Sequence, residues 1–325
     1  MPRAHATTAS VLSFDPAEIP LPDGLVLVAT PIGNLGDVSL RALAALARAD
    51  LILCEDTRLT ARLCQKFGID RPLLSFHEHN EKKRLGEVLA RLEAGERVVL
   101  VSDAGTPLLS DPGFPLLRAA LDRGLPVSAV PGPNAALLAL VLSGLPPAPF
   151  LFLGFPPPKE GARRRHFAHL AKLEAAGLAA TLIWYEAPHR LLSTLEDLLA
   201  AFGPRPAAVA RELTKRFEEV RRAPLPDLLA HFRTVPPRGE ITLLLAPPPS
   251  DRREEAETTP LSERLEAALA EGSLKEAAAA MRAASGLSRR LFYQRGLALR
   301  QKARKEGEAE PDAEQDEETG GKGEE

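Results

Sequence analysis

The sequence predicts an α/β protein of two sheet-and-helix domains followed by a small all-α domain. Three observations carry that prediction. From Gly24 to residue 246, short apolar runs alternate with amphipathic stretches, the pattern of strands and helices in turn. Near residue 147 a proline-rich stretch, "LPPAPFLFLGFPPP", interrupts the alternation. After the polar segment "PPPSDRREEAETTP" at 247–260, only helical periodicity remains. The expected units are a first domain at 24–147, a second at 148–246, a linker at 247–260 and a helical domain at 261–305.

In the first domain, "LVLVATP" reads as a strand and "DVSLRALAALARA" as a helix, with Asp37 or Ser39 as its N-cap. "DLILCED" is a strand, and "TRLTARLCQKFG" a helix closed by Gly68. "PLLSFH" is a short strand, and "NEKKRLGEVLARLEAG" a helix ending at Gly95. Strand "RVVLVSDAG", helix "GFPLLRAALDRG", strand "PVSAVPG" and the apolar helix "NAALLALVLSG" follow. The spacing predicts a mostly parallel sheet. The second domain reads as strand "FLFLGF", helix "RRHFAHLAKLEAA", strand "ATLIWYEA" and helix "HRLLSTLEDLLAAFG". Strand "PAAVAREL", helix "PLPDLLAHFR" and strand "GEITLLLA" complete it. Residues 261–300 read as three short helices.

Composition narrows the class. Hydrophobic residues make up 45% and charged residues 26%, an ordinary globular balance. No apolar run reaches the ~18 residues of a membrane-spanning helix. Residues 1–23 lack the continuous apolar core of a signal peptide and read as a disordered leader. Cys54 and Cys64 have no metal-ligand spacing, so no metal is expected, and the reading is a reducing cytoplasm. The net charge of −3 hides an asymmetry: residues 306–325 hold ten acids and one lysine, while 261–305 hold ten basic and four acidic residues. Such an acidic tail is expected to be disordered. A small basic domain suggests a polyanion partner. On charge alone, a solvated arginine-rich face fits equally.

Ligands in open α/β sheets gather at the carboxyl ends of strands. Those ends are "TPIGN", "CEDTR", "SDAGTPLLSDPG", "PGPNAA", "YEAPHR" and "ARELTK", all rich in small or functional residues. The first has the strand–glycine–helix layout of a nucleotide loop. Its Gly33 and Gly36 are spaced G-x-x-G, however, and Pro31 removes an N–H that a phosphate would use. Candidate acids, bases and cations at these ends are Glu55, Asp56, Arg58, Asp103, Glu186, Arg211, Glu212 and Lys215. Asp56 and Arg58 are favoured as acceptor-side groups, with a structural ion pair between Arg58 and a neighbouring acid as the alternative. Lys215 qualifies as a base only if burial lowers its pKa. His77 and His79, on one face of a strand, resemble a metal pair without a third ligand.

In this order, "TPIGNLGD", "CEDTR", "SDAGTPLLSDPG", "PGPNAA", "GFPP", "YEAPHR", "ARELTK" and "GEITLLL" resemble the bacterial 16S ribosomal RNA cytidine 2′-O-methyltransferases of the tetrapyrrole methylase superfamily. The resemblance covers about residues 24–300. It implies a two-domain fold with S-adenosylmethionine in a cleft between the domains, and it explains Pro31, since this cofactor carries no phosphate. By resemblance Pro31, Asp103, Ala104, Gly105, Gly132 and Pro133 border the cofactor from the first domain. Leu153, Gly154, Tyr185, Glu186, Ala187, Glu212, Leu213 and Thr242 close over it from the second. The implied partner is 16S RNA within the 30S subunit, and the implied assembly a homodimer. Asn34 is a candidate for the nucleotide. Arg163, Arg164 and Arg165, expected in a proline-bounded loop at the cleft mouth, suit RNA, as do Arg289, Arg290 and Arg295 on the last helix. That helix and "SLKEAAAAMRAASG" resemble a helix-turn-helix, with Arg282 where alanine is usual. Two other readings remain: a tetrapyrrole C-methyltransferase on the same fold, and a non-catalytic nucleic-acid-binding regulator.

Overall fold

The computed structural model describes residues 15–249 continuously and, beyond them, 265, 269, 273–285, 292–294, 296, 297 and 299. The chain forms two compact units, Met1–Pro248 and Pro249–Glu325.

The first unit holds two five-stranded sheets. In the first sheet, strands β1 (Leu25–Val28), β2 (Leu51–Cys54), β3 (Leu73–Ser75), β4 (Val98–Val101) and β5 (Val127–Val130) are all parallel, in the order β3-β2-β4-β1-β5. Alternate strand residues face opposite helix layers. Val26, Val28, Ile52 and Val99 pack with Leu46 of α1 (Leu40–Ala47) and Leu63 of α2 (Thr57–Lys66). Leu25, Leu53, Val98 and Leu100 pack with Val88 of α3 (Glu81–Glu93) and Leu116 of α4 (Phe114–Asp122). Burial on both faces is why these strands read as unbroken apolar runs. Ser39 is the N-cap of α1, its hydroxyl accepting from Ala42 N–H at 3.0 Å. The chain leaves β2 toward β3 on one side and β4 toward β5 on the other. The loops after these adjacent strands therefore diverge, which opens a crevice at their carboxyl ends.

The second sheet departs from the expected parallel pattern. Strands β6 (Phe150–Phe152), β7 (Thr181–Glu186), β8 (Pro206–Arg211), β9 (Glu219–Pro224) and β10 (Ile241–Leu245) lie in the order β6-β7-β10-β8-β9. Only β6–β7 is parallel. β8 and β9 form a hairpin, and β10 inserts antiparallel between β7 and β8. The charged edge strand β9 was not among the expected elements. Its "EVRRAP" exposes one face and ends in proline, and pairing with β8 decides its conformation. Helices α6 (Glu160–Ala175), α7 (Leu191–Phe202) and α8 (Leu225–Thr234) cover one face through Phe167, Leu195 and Leu228 against Trp184, Val209 and Leu243. The other face receives α5 (Ala135–Ser143), whose Ala136, Ala139 and Leu140 meet Ile183, Ala208 and Leu244. The small residues of α5 permit this close approach.

In the second unit, α9 (Leu274–Ser285) starts with a capping box. Ser273 Oγ accepts from Glu276 N–H, and Glu276 Oε2 accepts from Ser273 N–H. Ala277, Ala278 and Met281 pack with Leu265 and Phe292. Arg289, Arg290, Arg295, the first 14 residues, the linker from residue 250 and the 306–325 tail lie outside the described residues.

Candidate active site

A cavity of about 410 Å³ lies between the two sheets of the first unit. Its size is that of a small-molecule site. Its floor is one cross-strand row: Tyr185, Thr242 and Ala210 are in register on β7, β10 and β8 and share a face of the sheet. The opposite wall is the loop after β4, with Asp103, Ala104, Gly105 and Thr106, then Leu109, Ser110 and Asp111. Ile32, Ala135 at the start of α5, Phe155, Ala187, Leu213 and Gly239 complete the lining.

Two crossed loops hold the wall. Thr30 and Gly105 exchange backbone hydrogen bonds at 2.9 and 3.0 Å. Gly105 has φ +81°, and a Cβ there would stand 3.3 Å from Ile32 Cγ2 and 3.6 Å from the Pro133 carbonyl. Thr106 Oγ1 donates to that same carbonyl at 3.1 Å. Further along, Leu108 (φ +71°) and Ser110 (φ +73°) are left-handed without being glycine. These two positions fold the loop back so that Leu109, Ser110 and Asp111 reach the cavity. Such strain at non-glycine residues clusters at functional sites.

Of the expected cofactor-binding residues, Asp103, Ala104, Gly105, Tyr185, Glu186, Ala187, Leu213 and Thr242 line this cavity. Pro31, Gly132, Pro133, Leu153, Gly154 and Glu212 are not in its lining. Gly132 lies where a Cβ would be 3.0 Å from Ala29 Cβ, and Pro133 supports Gly105 from behind. Leu153 packs on the second domain's core, and the Gly154 carbonyl accepts from Tyr185 N–H at 2.9 Å. Glu186 is fully buried: its carboxylate takes hydrogen bonds from Thr194 Oγ1 (2.5 Å) and Ala187 N–H (2.8 Å), with Arg190 at 3.3 Å. It anchors the wall and presents no free oxygen to a ligand.

The groups expected to do chemistry are occupied. Asp56 caps α2 through Arg58 N–H and grips the Arg58 guanidinium at 2.6–3.2 Å. These bonds hold its carboxyl at about 2, too acidic for a base at neutral pH. The structural ion pair is what the structure contains. For Lys215, burial pulls the ammonium pKa down, but hydrogen bonds to Glu212 (3.0 Å) and Glu240 (3.1 Å) outweigh it, and the net shift is upward. The expectation of a neutral lysine base is therefore corrected. Asp111 is the group that sequence reading passed over. Burial, and then the charges of Glu55 and Asp103, push its carboxyl up to about 6 against a hydrogen bond with Ser102. Its "SDPG" was visible in the loop, but nothing local distinguishes it from a turn.

The basic candidates separate. "EGARRRH" belongs to α6, not to a loop, because the prolines stop at residue 158 and Glu160 favours the first helical turn. Arg163 is buried and paired with Asp197 at 2.7 Å, so its assignment to RNA is corrected. Arg164 bonds Asp197 and Glu160, both at 2.8 Å, and Arg165 is exposed. The Asn34 side chain accepts from Gly36 N–H, while the Asn34 backbone N–H donates to Thr214 Oγ1. His77 and His79 lie beyond β3 in the turn before α3, and His77 Nε2 meets Asn80 Nδ2 at 3.1 Å. Among the described residues no three His, Cys, Asp or Glu groups converge as metal ligands, and no helix is long and apolar enough to cross a membrane.

The fold is that of the tetrapyrrole methylase class: residues 24–229 match the family model described as Tetrapyrrole (Corrin/Porphyrin) Methylases. The solved structure of the methyltransferase CobJ shares the fold with a TM-score of 0.53 and 21% identity, covering 69% of this chain and 94% of that one. Curated relatives are nearer in sequence. Ribosomal RNA small subunit methyltransferase I of Mesorhizobium japonicum is 43% identical over 86% of this chain and 94% of its own. Its namesake in Pseudomonas aeruginosa is 45% identical over 84% and 96%. Within the class, this chain belongs to the ribosomal RNA small subunit methyltransferase I family.

Proposed function

We propose that the chain is a methyltransferase that uses S-adenosylmethionine to methylate the RNA of the small ribosomal subunit, at the ribose 2′-oxygen of a cytidine in the decoding region of 16S RNA. Family membership supports the RNA substrate and the cofactor. One observation carries the site: the two-walled cavity is lined on one side by Asp103–Thr106 and floored by the Tyr185–Thr242–Ala210 row.

The residues fit the cofactor. Gly105, where a Cβ would crowd Ile32 and touch the Pro133 carbonyl, and Ala104, Ala187 and Ala210 keep the lining small. Leu213 offers apolar surface to an adenine, and Asp103 offers a carboxylate to an ammonium group. The cofactor supplies a methyl already activated on a sulfonium. The protein's part is to align the acceptor, exclude water and receive a proton. The Tyr185 phenol is raised by burial and accepts from Ala136 N–H, so it stays a neutral wall at working pH.

Incubation with methyl-labelled cofactor and 30S subunits lacking the modification, followed by nucleoside analysis, tests this. The expected product is a ribose-methylated cytidine. Label on a base carbon, or on a porphyrinoid in place of RNA, overturns it. The same reading has the protein act in the cytoplasm as a homodimer. Assembled 30S is expected to outperform naked RNA, because a two-walled cleft reads shape.

A further inference from the structure

Four carboxylates line the cavity: Asp103, Asp111, Glu186 and Glu240. Three are committed elsewhere. Glu186 is enclosed by Thr194, Ala187 N–H and Arg190. Glu240 holds Lys215 Nζ at 3.1 Å. Asp103 accepts from Asp56 N–H at 2.9 Å, which ties the loops after β4 and β2 together, and in the reading above its carboxylate is taken by the cofactor's ammonium group. Asp111 alone has neither a cation nor a backbone N–H among the described residues. Its one side-chain neighbour for a hydrogen bond is the buried Ser102 hydroxyl, which also donates to the Ala104 and Gly105 carbonyls at 3.3 and 3.2 Å.

Its position is as informative as its chemistry. It lines the cavity beside the crevice where the loops after β2 and β4 diverge, between two left-handed turns of backbone at Ser110 and Gly113. Next to it Leu109 and Phe155, which follows Gly154 packed against Ser110, are apolar lining residues exposed at 41% and 53%. An exposed aromatic ring and an exposed aliphatic side chain at the cavity suit a splayed-out base. The ribose attached to such a base would then enter beside Asp111.

We propose that Asp111 is the catalytic base that receives the proton of the acceptor's 2′-hydroxyl, an inference that rests on the ribose-methylation reading above. As the hydroxyl oxygen forms its bond to the methyl carbon, the O–H proton passes to the Asp111 carboxylate and the carbon–sulfur pair stays on sulfur. The products are a methyl ether and a neutral thioether, and the proton then leaves to solvent. The charged and titratable groups facing Asp111 are Glu55 from the end of β2, Asp103 from the end of β4 and Tyr185 from β7. Glu81, at the start of α3, binds Gly113 N–H two residues away. The nearest of these are acidic or neutral, so they strengthen the base and leave no cation to quench it.

The test uses the full-length protein, labelled cofactor and unmodified 30S subunits, with Asp111→Asn and Asp111→Glu compared from pH 5 to pH 9. Wild-type kcat is expected to rise with pH through one ionisation, and a carbon-13 carboxyl resonance missing from the Asn variant is expected to titrate near 6. Asp111→Asn is expected to lose about 10²- to 10⁴-fold in kcat and to lose the acid limb. Its calorimetric affinity for S-adenosylmethionine is expected to stay within about threefold of wild type, well below the ~tenfold that 1.4 kcal/mol represents. Asp111→Glu should recover part of the rate together with the limb. A retained acid limb in the Asn variant, a near-normal rate, or a fall in cofactor affinity matching the fall in rate overturns the assignment. Wild-type label on a base carbon overturns the ribose reading as well, whereas ribose label with an indifferent Asp111→Asn overturns Asp111 alone.

Discussion

Gly105 and Asp111 show how far a single residue carries the site. Gly105 combines φ +81° with a Cβ direction toward Ile32, a lining residue, and the Pro133 carbonyl. A leucine there is strained by about 1–2 kcal/mol and crowds Ile32. Gly105→Leu is therefore expected to keep a native far-ultraviolet circular dichroism spectrum and to lose S-adenosylmethionine binding by calorimetry. At Asp111 the same burial that makes a base weakens the fold. Its carboxyl sits at about 6 against an ordinary 3.8, so the folded protein binds that proton more tightly than the unfolded chain does. Stability is lost as pH rises through this window. Asp111→Asn is expected to be more stable than wild type by about 1 kcal/mol at pH 8 in urea, a figure reduced because the side chain keeps some solvent contact, and equal to it below about pH 4.

At the scale of elements, two loops from different sheets clasp beside the cavity. Asn34 N–H donates to Thr214 Oγ1 at 3.1 Å, and the aliphatic stem of Lys215 lies where a Gly33 Cβ would overlap it. The turn that brings them there has left-handed φ at Glu212 and Thr214, at +51° and +65°. For a β-branched residue this is an outlier, held by the Glu218 carboxylate on Thr214 N–H. The Asp56 side chain caps α2, while the Asp56 backbone N–H links the helix to Asp103. The Asp56 carboxyl is depressed to about 2 from 3.8, so its stabilisation is present above about pH 4 and disappears as pH falls toward 2. Asp56→Ala is expected to unfold at lower urea than wild type at pH 7, with the gap closing as acid is added.

For the whole molecule, the division into two compact units falls at Pro248. Every lining residue of the cavity precedes it. A chain ending at Pro248 is expected to bind S-adenosylmethionine with unchanged affinity by calorimetry and to bind 30S subunits more weakly. The basic excess of 261–305 motivates the second half. Replacing Arg289, Arg290 and Arg295 together by alanine should raise KM for 30S and flatten the log–log salt dependence by roughly 2–3 units, the loss of about three phosphate contacts. An unchanged slope would move the RNA contact to other cations.

What the sequence determined by itself were the features set by near neighbours in the chain. The apolar runs of β1, β2 and β4 follow from burial on both faces, Ser39 caps α1, and Gly68 and Gly95 follow the ends of α2 and α3. The family motifs located eight of the lining residues on the same basis, because each motif is a local loop. The tertiary structure alone decided what those residues are free to do. Arg163 looked like an RNA contact until α6 turned it onto Asp197, and Lys215 looked like a base until Glu212 and Glu240 closed on it. Asp56 likewise looked available until Arg58 folded back along α2. Asp111 looked like a turn residue until two left-handed positions carried it into the cavity. The antiparallel entry of β10 and the edge strand β9 belong with these. Charge, burial and strand direction depend on groups tens to hundreds of residues away, and a linear pattern carries no record of which of them will meet.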